Sequence, residues 1–145
     1  MSAVLSISED FLNQALSNYL PENVNKLKTT IDSDYIVVTF PVSFIGIKIN
    51  PSAAFRIVSF TWTDEKKVFV LELIKTSILD SRPSLAYVKR FFPDFITIEN
   101  NTFLLIDILK IPAAVEFLKN PLISQFQIEK IGVSKGSLSI SVDFV

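Results

Sequence analysis

The chain has 145 residues, 14 Lys and Arg against 15 Asp and Glu, 49% hydrophobic residues, 13 phenylalanines, and neither cysteine nor histidine. That length suits one domain able to bury roughly 70% of its unfolded surface, and the even charge leaves no basic field for a phosphate backbone, so nucleic acid is not an expected partner. Without Cys or His, disulfides, the common zinc sites, Cys–His and Ser–His–Asp systems and imidazole acid–base catalysis are all excluded.

Positions 1–5 carry neither a positive segment nor a long apolar core, so no secretory signal is expected and the cytoplasm is the expected address. Ser6 and Glu9 have capping-box spacing, which predicts a helix starting there. Phe11, Leu12, Ala15, Leu16, Tyr19 and Leu20 then form one broad apolar stripe that Pro21 terminates.

From Lys26 the period changes to two. A turn at Ser33-Asp34 sets Leu27 against Phe40, Thr29 against Val38 and Ile31 against Ile36. Pro41 and Gly46 punctuate a continuing extended run through Ile45, Ile47 and Ile49, read as an edge or a bulge. The run 55–74 predicts a hairpin with 64–67 at its tip, in which Trp62 opposes Phe69, Phe60 opposes Leu71 and Val58 opposes Leu73, giving one strongly aromatic face.

Ser81-Arg82-Pro83 predicts a short helix carrying Leu85, Val88 and Phe92, stopped by Pro93. Asn100-Asn101 reads as a type I′ turn joining strands over 95–99 and 102–108, because asparagine tolerates positive φ. Pro112 opens a last short helix that ends near Asn120-Pro121. The terminal hairpin turns at Lys135-Gly136 with Val133 against Leu138 and Ile131 against Ile140. A β-bulge near Glu129-Lys130 is needed to keep Ile128 against Val142 and Phe126 against Phe144. Both ends of the chain thus share a plan of helix followed by hairpin.

No Gly-x-Gly-x-x-Gly, phosphate-loop or Gly-x-Ser-x-Gly motif is present. Glu72 and Asp107 are acids set within apolar runs and form the one pair worth weighing for carboxylate catalysis, but alternation places Glu72 with Ser59 and Thr61 and Asp107 at a strand end. Asp32-Ser33-Asp34 reads as turn chemistry before cation binding, and no cofactor or metal is expected. Lys89-Arg90 either snorkel over the core or make peripheral contact with anionic headgroups. Apolar runs such as 103–106 are strand-length, far below the ~20 residues of a membrane span.

The expected architecture is α+β: a strongly bent antiparallel sheet built from hairpins, wrapped on the N-terminal helix, with two further short helices. Phe11, Ala15 and Tyr19 of the helix and Phe40, Val58, Phe60, Trp62, Phe69 and Leu71 of the sheet are the candidate lining of an apolar pocket. The stretch Ile7-Ser8-Glu9-Asp10-Phe11-Leu12-Asn13, with Leu27-Lys28-Thr29-Thr30-Ile31 and Tyr35-Ile36-Val37-Val38-Thr39-Phe40, resembles the opening of tubular lipid-binding (TULIP-like) domains. The resemblance covers the first third of the chain and, more weakly, the last quarter. It implies non-catalytic binding of a lipid or other hydrophobic molecule, with a homodimer completing the cavity. The alternative is a protein-interaction or structural module with a solid core, which binds through a sheet edge or an apolar patch.

Overall fold

In the computed structural model, which describes residues 2–19, 28–39, 42–44, 46–49, 52–76, 94–123 and 125–144, the chain opens with a strand. Ala3, Leu5 and Ile7 alternate with Ser2, Val4, Ser6 and Ser8, the period of a pleated strand, and Ser2–Ser8 is β1. The first helix, α1 (Glu9–Tyr19), therefore starts later than the Ser6 capping box predicts. Its cap is Ser8, whose Oγ accepts from the Phe11 N–H at 3.1 Å. Glu9 and Asp10 fall in the first turn, where negative charge complements the helix dipole.

β2 (Lys28–Ile31) and β3 (Ile36–Thr39) pair in the expected register, Thr29 with Val38 and Ile31 with Ile36. The Asp32 N–H donates to the Tyr35 carbonyl at 2.8 Å and the Ser33 N–H to Asp32 Oδ1 at 2.8 Å, so this acidic stretch closes a turn. Leu27 and Phe40, expected to extend the pairing, lie outside the described residues. The extended run expected next instead folds on itself: β4 (Val42–Phe44) pairs with β5 (Ile47–Ile49) around Gly46, whose φ of 75° glycine adopts without steric cost.

β6 (Ser52–Trp62) and β7 (Lys67–Thr76) form the longest hairpin, in a register that differs from the sequence reading. Phe60 opposes Phe69, Trp62 opposes Lys67 and Ile57 opposes Leu71, with irregularities at 54/55 and 57/59. The tip is tighter than expected: the Thr63 N–H donates to the Lys66 carbonyl at 2.8 Å and Thr63 Oγ1 accepts from the Lys66 N–H at 3.0 Å. Val58 is the extra residue at the second irregularity, and it resets the alternation so that Phe60 and Trp62 share a face with Phe55 and Ile57.

β8 (Ile96–Glu99) and β9 (Phe103–Asp107) are joined through 100–102, where Asn100 and Asn101 take the expected positive φ (54° and 58°), but Glu99 opposes Phe103, so Thr102 belongs to the connection and not, as expected, to the strand. A 3-10 turn (Ile108–Lys110) leads into α2 (Pro112–Leu118), with proline at the helix start. β10 (Phe126–Ser134) and β11 (Ser137–Phe144) carry the expected bulge between Ile128 and Lys130, with Phe126 opposite Phe144 and Ile131 opposite Ile140. The helix expected over 81–92 lies outside the described residues.

The result is a sheet-rich α+β fold with antiparallel pairing. Among the described residues, six strands run in the order β2-β3-β6-β7-β9-β8, three in the order β1-β11-β10, and β4-β5 stand as a pair. The buried core joins Ala53, Phe55, Leu71, Leu73 and Leu104, with Val38, Ile57, Phe69, Ile96, Ile98 and Ile106 packed on it.

The β2 edge is closed by side chains and by a turn. Asn13 clasps Thr29, with Oδ1 accepting from its N–H at 2.6 Å and Nδ2 donating to its carbonyl at 2.8 Å. Glu9, one helical turn earlier, accepts from the Ile31 N–H at 2.9 Å instead of reaching back to the cap. The Gly136 N–H donates to the Ile31 carbonyl at 2.8 Å, and the Glu9 N–H donates to the Gly136 carbonyl at 3.0 Å. Both outward-facing residues of β2 are thereby satisfied, and the two larger sheets are joined at this point.

Candidate ligand-binding surface

Cross-strand register assembles one apolar face on the six-stranded sheet. Ile36 opposes Phe55, which opposes Leu73. The next row is Ile57, Leu71, Leu104 and Ile98, followed by Phe60, Phe69, Ile106 and Ile96, and the last is Trp62 with Lys67. Burial falls along these rows. Phe55 is 2% exposed and Leu71 7%, whereas every member of the Phe60 row is only half-buried and the bulge residue Val58 is 42% exposed.

At the open end four aromatic rings meet. The Phe60 and Trp62 centroids lie 6.1 and 6.0 Å from Phe69, in tilted geometry. Phe126, the first residue of β10, stacks on Trp62 at 5.4 Å with planes 29° apart. The terminal hairpin therefore touches the six-stranded sheet at both its ends, at Ile31 through Gly136 and at Trp62 through Phe126. Lys67 Nζ sits 5.2 Å from the Trp62 ring centroid, a cation–π distance, and also donates to the Thr63 carbonyl.

Of the residues singled out from sequence, the structure brings Phe60, Trp62 and Phe69 together, seats Leu71 in the buried core beside them, and leaves Val58 at the bulge. Phe11 stands on α1 at 61% exposure and Ala15 is half-buried on the same helix, which meets the sheet at the β2 edge. Tyr19 closes α1, but its side chain, like Phe40, lies outside the described residues. Phe126 was not picked out by sequence reasoning, because its part depends on a tertiary meeting that local alternation does not encode. Ile96, Ile98, Leu104 and Ile106 were findable from their period of two.

Glu72 accepts from Arg56 at 2.9 Å, and Asp107 Oδ1 accepts from the Leu109 N–H at 3.2 Å. Asp107 opposes Val68, four residues from Glu72 along β7, which separates the two acids by roughly 13 Å at ~3.3 Å per residue. That is the spacing of their Cα atoms, and each acid is already engaged, Glu72 with Arg56 and Asp107 with the Leu109 N–H. Among the described residues no cluster of three or more potential metal-ligating side chains forms, and no helix is long and apolar enough to cross a membrane. No known protein family, curated protein or solved structure matches the chain.

Proposed function

We propose that this chain binds a lipid or other hydrophobic molecule without covalent chemistry, on the open half of the apolar sheet face where Phe60, Trp62, Phe69 and Phe126 meet. The observation that carries the reading is the burial gradient: the same continuous apolar face is sealed at Phe55 and half-open at its aromatic end. Bulges bend a strand and increase its twist, so the two irregularities in the β6–β7 ladder favour a sheet that curves around a guest. The terminal hairpin, anchored at Ile31 and at Trp62, supplies the cover. Each methylene buried there contributes about 0.8 kcal/mol, so a modest acyl chain binds usefully with few polar contacts. Lys67 is placed to meet an acidic head group at the mouth.

Trp62 is the chain's single tryptophan, which makes its fluorescence a direct reporter. Titration with a long-chain fatty acid should shift or quench its emission saturably, and native mass spectrometry should show one ligand per chain. Phe126→Ala should weaken binding tenfold or more, while Phe11→Ala should leave it unchanged. An unresponsive Trp62 together with no adduct would refute the reading.

A further inference from the structure

We infer that β1 is a homodimerisation edge, at which two copies of this chain pair antiparallel about a two-fold axis centred on Leu5. This goes beyond the ligand-binding reading and does not depend on it. The outer edges of the two larger sheets are treated differently. β2 is closed by Asn13, Glu9 and Gly136; β10 is interrupted by a bulge beside Glu129 and Lys130; β8 is short and ends in Glu99. β1 has seven residues in unbroken register with β11, and it carries no charge, proline or glycine. Among the described residues no strand lies on its outer side. Charges, prolines and bulges are the usual means of stopping edge-to-edge pairing, and β1 has none of them.

The ladder identifies which backbone groups face outward. The Glu9 N–H donates to the Gly136 carbonyl, so Glu9 and, by the two-residue alternation of an antiparallel pair, Ile7, Leu5 and Ala3 turn their backbone groups toward β11. Val4 and Ser6 direct theirs away.

A two-fold axis at Leu5 places Val4 opposite Ser6 of the second copy in hydrogen-bonded pairs and Leu5 opposite Leu5 in the closer, non-hydrogen-bonded pair. Ala3 then faces Ile7 and Ser2 faces Ser8, so only the Val4–Ser6 pairs set an apolar residue against a small polar one, and no like charges oppose. The row Ile131, Ile140, Leu5 continues unbroken into the partner, covering a leucine that is 50% exposed in the single chain. An isologous contact of this kind closes after two copies and does not propagate into a fibre.

Sedimentation equilibrium of the wild-type chain up to about 100 μM should show a dimer, and Leu5→Lys, which brings two ammonium groups together on the axis, should be monomeric with an unchanged far-UV CD spectrum. Because the chain contains no cysteine, Leu5→Cys introduces one thiol per chain. Cα atoms of a non-hydrogen-bonded pair lie ~4.5 Å apart, within disulfide range, so this variant should cross-link under mild oxidation. Phe11→Cys, equally accessible but on α1, should not. A wild-type chain that stays monomeric overturns the inference. So does a dimer that survives Leu5→Lys while Leu5→Cys fails to cross-link.

Discussion

Phe55 and Phe60 stand on the same face of the same strand, yet one is sealed in the core and the other is half open. The difference lies in what surrounds them. Phe55 has a neighbouring strand on both sides, with Ile36 of β3 and Leu73 of β7 opposite it, in a row that runs on to Ile31 at the edge stitched shut by α1, whereas Phe60 lies past the end of β3, on the part of β6 that only β7 continues beside. Sheet register thus produces two environments from one apolar pattern, a stabilising core and a surface free for a guest.

The largest expected effect tests the sealed half. Phe55→Ala should destabilise the fold by about 3–5 kcal/mol in urea unfolding, the cost of emptying a filled core site. Equal losses at Phe55 and Phe60 would break the comparison. Asn13→Ala should cost about 1–3 kcal/mol, since it removes both partners of the Thr29 backbone, and should speed hydrogen exchange at Thr29. At the open half, Phe60→Ala should cost only about 1–2 kcal/mol while weakening ligand binding as Phe126→Ala does. Smallest of all, Glu72→Gln should change stability by no more than about 0.5 kcal/mol, because its partner Arg56 is more than half exposed.

Legibility in the sequence followed the strength of local signals. The terminal hairpin was readable to its bulge because Ile128, Ile131, Val133, Leu138, Ile140 and Val142 fit one face only if a residue is inserted. Asn100-Asn101 and Pro112 each signal a specific backbone conformation. The β6–β7 register was not readable, since Val58, Phe60, Val68 and Val70 put apolar residues on both faces and alternation cannot choose between registers. Ser6 and Glu9 imitate a capping box, but Ile31 competes successfully for the Glu9 carboxylate. Of the candidate site, the β6–β7 aromatics were legible; Phe126 was not, because its stacking on Trp62 joins segments that share no local pattern.

Gly136 touches both Ile31 and Glu9, so a single turn late in the chain completes an edge laid down near its beginning. During synthesis β2 must wait, with the Ile31 carbonyl unclaimed, until the closing hairpin has emerged. Such high contact order predicts slow, strongly cooperative folding, and it makes the nascent chain most prone to sticking to its neighbours just before the last hairpin arrives.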